Sequence, residues 1–234
     1  MPHGSPLDAE YYRSLCRESG IPEHHLWAVV TQETGGCGFQ ADGLPVILFE
    51  AHLFSRATGH RYDATHPGIS TPAWDRRSYG PRSAQHARLA EAAALDNVAA
   101  LSSTSWGIGQ ILGVNWRRCS PAASVVDFCA RAYRGENDQL QQMVSFICGD
   151  KVMVDALRSG EWATFARRYN GPGYKANAYD TKLARYASSN AYSKVDFTVR
   201  ALQIRAMYAG HHPGAIDGIF GPATKAALEA AHLI

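Results

Sequence analysis

A carboxylic acid, Glu33, lies on the apolar face of a predicted helix. Three apolar residues precede it on that face, at the i, i+3, i+4, i+7 spacing that ends on Glu33: Leu26, Val29 and Val30. Burial disfavours the charged form of a carboxyl group, and the negative end of the helix dipole adds to this effect in the last turn. Both effects raise the pKa, as a general acid working near neutral pH requires. The spacing is also consistent with an acid that pairs with an arginine or faces solvent at a fraying helix end.

Two other carboxylates are candidates for a second catalytic group. Glu50 lies between Ile47 and Phe54. If this segment is helical, Glu50 shares a face with these two apolar residues, and its carboxylate points towards packed side chains. That position suits a catalytic carboxylate or a buried structural acid bonded to backbone or arginine. Asp63 falls within residues 59–82, which are rich in Gly, Pro, His and Tyr and show little periodicity. We expect these residues to form a long ordered loop over a cleft.

Helix start and stop signals define the elements that must position Glu33. Ser5-Pro6 predicts the start of a first helix, over Leu7 to Arg17, that ends at Gly20. A second predicted helix begins near Pro22 and stops at Gly35-Gly36. Glu33 therefore belongs to the last turn of the second helix.

The rest of the chain is predicted to be mainly helical. Asp42-Gly43 predicts a turn, and residues 44–58 are apolar with helical spacing towards their end. Strand-like alternation is scarce, so the fold class is mainly α. Further helical stretches are expected at about 84–100, 121–133, 135–148, 150–158, 161–169 and 179–187. The polar residues 188–194 are predicted to be a linker, followed by two helices around a turn rich in Gly and Pro.

Composition limits the classes of function. The 234 residues suit one full domain plus a small module. Hydrophobic residues make up 46% and charged residues 19%, and the net charge is +2, which is too weakly basic to predict nucleic-acid binding. No apolar run approaches the roughly 20 residues that span a bilayer, so no membrane insertion is expected. Residues 1–5 lack the pattern of a secretory signal peptide.

The cysteines do not predict a metal site. The five of them are odd in number and include no CxxC pair, which makes a zinc knuckle improbable. Reduced, buried thiols are the expected state, although one disulfide formed after export stays open. No metal and no other cofactor are expected.

Three short motifs occur in an order that resembles a known superfamily. They are Gln32-Glu33-Thr34-Gly35-Gly36, Ser105-Trp106-Gly107-Ile108-Gly109-Gln110-Ile111 and Arg168-Tyr169-Asn170-Gly171-Pro172-Gly173-Tyr174. The order is similar to that of goose-type lysozymes and lytic transglycosylases. Closer still is the resemblance to the N-acetylmuramidase domains of modular phage endolysins, through the segments Ile47 to Phe54, Tyr62 to Pro67 and Tyr179 to Leu183. This resemblance runs from about residue 20 to residue 187 and implies an α+β lysozyme-like fold.

The resemblance assigns roles to individual residues. It makes Glu33 the catalytic acid, and it places the substrate-binding residues along a glycan cleft: Gln110, Tyr169, Asn170, Gly171, Trp106 and Tyr174. Amide and aromatic side chains suit sugars, which offer hydroxyl and acetamido groups and C–H-rich faces. Trp106 and Tyr169 could instead be core aromatics. Thr34 departs from the usual serine but keeps the hydroxyl. Asp42 has the nine-residue spacing from the acid seen in small phage lysozymes, yet Leu48 stands where those have threonine.

The end of the chain resembles the helical peptidoglycan-binding domain found in many wall-directed proteins. The similarity rests on Val199 to Gln203 and on Gly214 to Thr224, within about residues 195–234. This stretch is shorter than the usual three-helix module, so either its binding is weak or it leans on the catalytic domain. The expected organisation is a muramidase domain over 1–187, a linker over 188–194 and a wall-binding module over 195–234.

The sequence leaves four functions open. The first is a muramidase that hydrolyses the β-1,4 bond between N-acetylmuramic acid and N-acetylglucosamine, with Glu50 or Asp63 positioning the water. The second is a lytic transglycosylase, which needs a single acid/base and leaves 1,6-anhydromuramic ends. The third is a zinc peptidase, for which His60, Asp63 and His66 offer superficial ligands. The fourth is a non-catalytic wall-binding protein.

The expected partner is the glycan strand of bacterial peptidoglycan. The protein is expected to be a monomer. With no signal peptide, the protein would be made in the cytoplasm and would reach the periplasm by another route. A phage endolysin released by a holin and a secretion-system effector fit that expectation about equally well.

Overall fold

The computed structural model of the protein describes residues 3–75, 79–188 and 192–234. In these ranges the chain is mainly α-helical with one small antiparallel sheet, so the predicted fold class is confirmed. The helices of the first half are α1 (Ala9–Ser19), α2 (Glu23–Thr34), α3 (Ala51–Ala57), α4 (Gln85–Leu95) and α5 (Asn97–Ser102). Those of the second half are α6 (Val125–Arg134), α7 (Glu136–Cys148), α8 (Lys151–Ser159), α9 (Trp162–Tyr169), α10 (Tyr179–Ser188), α11 (Phe197–Tyr208) and α12 (Pro222–Ala230).

Helix α1 starts later than the sequence predicts. Asp8 is its N-cap and accepts a hydrogen bond from the backbone N–H of Tyr11, at 2.7 Å. Ser5 instead pairs with Gly135 in an isolated parallel bridge, so the predicted Ser5-Pro6 start is wrong. A carboxylate caps the exposed amide groups of a first turn as well as serine does. The predicted end is confirmed, because Gly20 adopts the left-handed conformation with φ 66°.

Helix α2 is the central helix of the larger core. Leu26, Val29 and Val30 are completely buried, as the apolar stripe predicts. Gly35 ends the helix at φ 72°, and its N–H donates to the carbonyl of Thr31 at 3.0 Å. Helix α10 packs along α2, which holds the last turn of α2 from a segment about 150 residues further along the chain.

The sheet replaces part of a predicted helix. Its strands are β1 (Ile47–Phe49), β2 (Thr104–Trp106) and β3 (Ile111–Leu112), in the order β1-β2-β3. Ile47 pairs with Trp106 and Phe49 with Thr104. The helical spacing expected before residue 51 is therefore wrong, because Ile, Leu and Phe satisfy their backbone groups by cross-strand pairing. Glu50 follows the strand directly and is the N-cap residue of α3.

The loop between α3 and α4 is long, as the sequence predicts, and its described parts are ordered by side chains. Asp63 accepts hydrogen bonds from the Ser70 hydroxyl at 2.5 Å and from the His60 ring at 3.1 Å. Arg88 on α4 donates to the carbonyls of Gly68 and Tyr79. The loop is thus fastened to α4 beside the sheet.

The C-terminal residues form two helices and a turn that pack on the rest of the chain. Phe197 of α11 joins the main core, where its ring contacts Trp27 of α2 in an edge-on arrangement at 5.6 Å. Ile204 and Ile216 pack with Cys37 and Phe39. Helix α11 and the turn after it therefore pack against the rest of the chain.

The predicted linker lies partly outside the described residues, which omit 189–191. In the described remainder, Ser188 is the last residue of α10 and Tyr192–Lys194 form a 3-10 turn. The Tyr192 ring lies 6.0 Å from that of Tyr12, and its hydroxyl bonds to Glu23.

All five cysteines lie in the described ranges and none forms a disulfide; Cys148 is exposed and the other four are buried. Among the described helices, none combines the length and the hydropathy of a membrane span.

Candidate active site

Glu33 opens into a cavity at the end of α2. This cavity has a volume of about 270 Å³. Its lining comprises Glu33, Val46, Ile47, Leu48, Gly80, Arg82, Gln85 and Gln110. The carboxyl group is therefore mostly buried while it keeps one route to a molecule bound in the cavity.

Burial raises the pKa of Glu33 from 4.5 to about 7. The Tyr179 hydroxyl donates a hydrogen bond to Oε1 and offsets part of that rise, because the bond favours the charged form. Within the described ranges no arginine or lysine forms an ion pair with Glu33. The group is thus a carboxyl that holds a proton near neutral pH, the property a general acid needs.

Tyr179 is a site residue that reasoning from the sequence did not single out. It is the first residue of α10, its side chain is 3% exposed, and burial and the neighbouring Glu33 raise its pKa well above 10. The phenol therefore stays protonated and acts only as a donor towards Glu33. Tyr179 belongs to the Tyr179 to Leu183 segment, which resembles the endolysin muramidase domains. That resemblance indicated the family of the chain but not the role of Tyr179.

Gln110 stands between two cavities. Its backbone has φ 48°, a left-handed conformation that is strained for a residue with a side chain. Its amide Nε2 donates to the carbonyls of Val46 at 3.1 Å and Gly107 at 2.9 Å. These bonds fix the plane of the amide, so that its carbonyl oxygen is the atom left to meet a ligand.

A second cavity continues from Gln110. It has a volume of about 200 Å³, and its lining comprises Glu50, Ser105, Gln110, Ile111, Leu112, Asn115, Phe146, Tyr169 and Asn170. Because Gln110 belongs to both linings, the two cavities are neighbours, and together they are called the cleft. Glu33 lies in one half and Glu50 in the other.

Glu50 is held by groups that favour its charged form against burial. Burial raises its pKa, while the Tyr79 hydroxyl and the charge of Arg88 oppose that rise. Tyr79 donates to Oε2 of Glu50 at 2.6 Å, and the His52 ring lies 3.4 Å from the same oxygen. The Trp74 indole donates to the Tyr79 hydroxyl at 2.7 Å and extends this network to an exposed aromatic ring. The sequence had not indicated these partners of Glu50.

Tyr169 and Asn170 line the second cavity. The Tyr169 hydroxyl donates to the carbonyl of Gly109 at 2.5 Å, and its ring stacks on Phe165 at 5.1 Å. Tyr169 thereby ties α9 to the segment before Gln110. Asn170 caps the end of α9, and Gly171 follows at φ 90°, a backbone conformation that favours glycine.

Four predicted site residues are not among those lining the cleft: Gly171, Trp106, Tyr174 and Asp63. Trp106 is 2% exposed, and its indole donates to the carbonyl of Leu101 at 3.2 Å in the core. Tyr174 is 7% exposed and also belongs to the main core. Asp63 lies in the loop before α4, where bonds from Ser70, Ser55 and His60 lower its pKa.

Asp42 and the zinc-ligand candidates lie elsewhere. Asp42 accepts a bond from the backbone N–H of Leu44 at 3.0 Å, which makes the predicted turn. It lines a larger cavity of about 530 Å³ with His3 and Tyr133, and neither Glu33 nor Glu50 reaches that cavity. The His60 ring bonds to Ser55 and Asp63. The described part of the chain brings no three His, Cys, Asp or Glu side chains together as metal ligands.

The fold and the cleft together define a class of protein. A mainly helical domain carries a small antiparallel sheet. At a helix end, beside a cleft with amide and phenol groups, lies a glutamic acid whose pKa burial raises to about 7. These are the features of lysozyme-like, peptidoglycan-degrading glycosidases.

Comparison with known proteins gives the family. The model of the N-acetylmuramidase family matches residues 22–191, and the chain belongs to that family. A crystal structure of the Burkholderia AP3 phage endolysin is similar, with a TM-score of 0.71 and 34% identity over 82% of this chain and 73% of that one. A search of curated proteins found no significant match. The predicted resemblance to endolysin muramidase domains is therefore confirmed.

Proposed function

We propose that this protein is a muramidase, which hydrolyses the β-1,4 bond between N-acetylmuramic acid and N-acetylglucosamine with Glu33 as general acid. One observation carries the proposal: the Glu33 carboxyl is desolvated, has a pKa of about 7 and opens into the cleft. A protonated carboxyl at neutral pH can protonate the oxygen of the departing sugar. Membership of the N-acetylmuramidase family supports the choice of glycan as substrate.

The orientation of the proton follows from Tyr179. A neutral carboxyl carries its proton on one oxygen, and the Tyr179 hydroxyl already donates to Oε1. The proton is therefore favoured on Oε2, which becomes the donating oxygen. Tyr179 thus selects the donating oxygen as well as moderating the pKa.

The second carboxylate in this mechanism is Glu50, which positions and activates the water. It lines the neighbouring cavity of the cleft; burial raises its pKa, and the bond from Tyr79 and the charge of Arg88 oppose that rise and favour its ionised form. An acid in one half and a base in the other suit an inverting glycosidase, in which the carboxyl groups are about 6.5–9.5 Å apart. Asp63, outside the lining of the cleft, is the weaker candidate.

The amides of the cleft serve to hold the sugar. Gln110 presents its carbonyl oxygen between the two halves, where an acetamido N–H can donate to it. Asn170 offers both a donor and an acceptor beside Glu50. Such contacts keep the bond to be cleaved between the acid and the water, which lowers the entropic part of the barrier.

The test is mass spectrometry of the muropeptides released from purified sacculi. The wild-type protein is compared with Glu33→Gln and with Glu18→Gln, a matched change at an exposed position of α1. We expect reducing N-acetylmuramic acid ends from the wild type and from Glu18→Gln, and none from Glu33→Gln.

Other products would contradict the proposal in distinct ways. Ends carrying 1,6-anhydromuramic acid would identify a lytic transglycosylase, in which the muramyl 6-hydroxyl replaces water. Fragments cut within the peptide stems would identify a peptidase. Intact glycan from the wild type, together with co-sedimentation on sacculi, would leave a wall-binding protein.

A further inference from the structure

Arg200, in the C-terminal module, is bonded to the segment that follows the catalytic helix. Its side chain is completely buried, which is rare for arginine. Nε and Nη2 both donate to the carbonyl of Gly36, at 3.0 and 2.5 Å. Gly36 is the third residue after Glu33, so the contact lies within one helical turn of the acid.

Glu136 binds the same segment from the other side. It forms a bidentate ion pair with Arg200, at 2.7 and 2.6 Å, and is itself completely buried. Its Oε1 also accepts the backbone N–H of Gly38, and its Oε2 that of Leu7, both at 2.8 Å. Gly36 and Gly38 are therefore held by the two halves of one ion pair.

Close packing adds to these bonds. Gly36 has φ 101°, and a Cβ atom there would lie 2.6 Å from the carbonyl oxygen of Ile216. Between the two glycines, Cys37 packs with Ile204 of α11. The backbone after Glu33 thus has little freedom to move while the module is docked.

Helix α11 buries more than one of its faces. Arg200 and Ile204 face the larger domain, whereas Ala206 packs with Leu228 of α12. An independent binding module on a flexible tether would leave such a face exposed to water. Here that face is buried against Glu136 and the residues that follow α2.

We propose that Arg200 is a positioning residue for Glu33, and that residues 195–234 are a structural part of the catalytic unit. This inference rests on the proposed function of Glu33. Arg200 touches no substrate; it fixes Gly36, and through Gly36 the C-terminal turn of α2. The same contact keeps the carboxyl of Glu33 between the cavity and Tyr179, in its desolvated position.

The experiment compares Arg200→Met, Arg200→Lys and Arg205→Met in the full chain. Arg205 is an exposed arginine on the same helix and serves as the matched control. Lysine keeps the charge beside Glu136 but loses the planar fork that also reaches Gly36. Each variant is assayed on soluble, uncrosslinked glycan strands for kcat, KM and the pH dependence of kcat. Thermal melting and co-sedimentation with sacculi are measured in parallel.

We expect both Arg200 variants to lower kcat at least tenfold while KM changes less than about threefold, with sedimentation unchanged. The alkaline limb of the kcat profile should move to lower pH, because a displaced Glu33 regains hydration and its pKa falls. Arg205→Met should behave as wild type.

A folded Arg200→Lys protein with unchanged kcat and pH profile would overturn the inference, even if its melting temperature fell. Loss of folding in Arg200→Met leaves Arg200→Lys to decide. Wild-type protein that fails to cleave the strands would contradict the proposed function instead, so the two failures are distinguishable.

Discussion

The hydroxyl of Tyr179 donates a hydrogen bond to Oε1 of Glu33 across 146 residues of sequence. Burial raises the pKa of this glutamic acid to about 7, and the tyrosine keeps it from rising further. Tyr179 is the first residue of α10 and Glu33 lies in the last turn of α2, and these two helices pack along each other. Packing between these helices therefore controls both the charge and the direction of the acid.

Tyr179→Phe should move the pH dependence of cleavage. Without the phenol, the charged form of Glu33 loses a donor, so its pKa rises above 7. The acid must be protonated to act, and activity is lost as the pH rises through that pKa. The alkaline limb should move to higher pH, and kcat at the optimum should fall roughly tenfold, equivalent to about 1.4 kcal/mol of lost positioning.

The measurement is a pH–rate profile on soluble glycan strands. Tyr186→Phe is the control, because it also removes a phenol from α10. The Tyr186 hydroxyl accepts a hydrogen bond from Arg185, whereas the Tyr179 hydroxyl donates to Glu33. If the alkaline limb of Tyr179→Phe stays at the wild-type pH, this hydrogen bond does not influence the pKa of Glu33.

Glu33→Gln should stabilise the protein at alkaline pH while it abolishes cleavage. The folded-state pKa, about 7, lies above the ordinary value of 4.5, so the folded protein binds this proton more tightly than the unfolded chain. Stability from this group is complete below about pH 4.5 and is lost as the pH rises to 7. The neutral amide avoids that loss, a gain of about 1–3 kcal/mol at pH 8.

Thermal melting at pH 4.5 and pH 8 checks this expectation. The variant should melt several degrees above wild type at pH 8, since about 1 kcal/mol corresponds to roughly 2–4 °C in a chain of this size. The two proteins should melt together near pH 4.5. Equal melting at both pH values would mean that Glu33 is solvated in the folded protein.

The position of Glu33 could be predicted from the sequence because it depends on local periodicity. Helical spacing from Leu26 to Glu33 identifies a buried face, and Gly35 marks the end of the helix. Strand β1 could not be predicted in the same way, because three residues show no period. It exists because Ile47 and Phe49 find partners more than 50 residues away.

The hydrogen-bond partners of the site carboxylates could not be predicted from the sequence, for a different reason. Tyr179 and Tyr79 act through hydrogen bonds to carboxylates that are distant in sequence, and a single sequence carries no signal for such pairs. Arg200 is the strongest case, since an arginine in a helix is ordinarily expected at the surface. Its burial depends on Glu136, to which no pattern in either helix points.

Glu50→Gln and Asp63→Asn should separate the two candidates for the second carboxylate. If Glu50 activates water, the amide should lower kcat for hydrolysis about 100-fold or more. Binding to sacculi should stay unchanged, because Tyr79 can still donate to the amide oxygen. The measurement is the rate of formation of reducing ends.

Asp63→Asn is the control for this pair. It should lower the melting temperature, because Asp63 accepts bonds from Ser70 and His60 within the loop. Its kcat should stay within about twofold of wild type at a temperature where it is folded. The reverse pattern, with a silent Glu50→Gln and an inactive Asp63→Asn, would assign the water to Asp63.

The ion pair between Arg200 and Glu136 should make the whole chain unfold as one unit. Both side chains are fully buried, so removing either one leaves an uncompensated polar group, at a cost of about 3–5 kcal/mol. Arg200→Met combined with Glu136→Gln should cost less than the sum of the single changes, with a coupling of about 1–3 kcal/mol. Urea unfolding followed by tryptophan fluorescence and by circular dichroism gives these energies.

The two probes should report a single shared midpoint for wild type, because α11 packs against Trp27 of the catalytic helix. Separate midpoints would mean that the C-terminal module unfolds independently and that the ion pair does not couple it to α2.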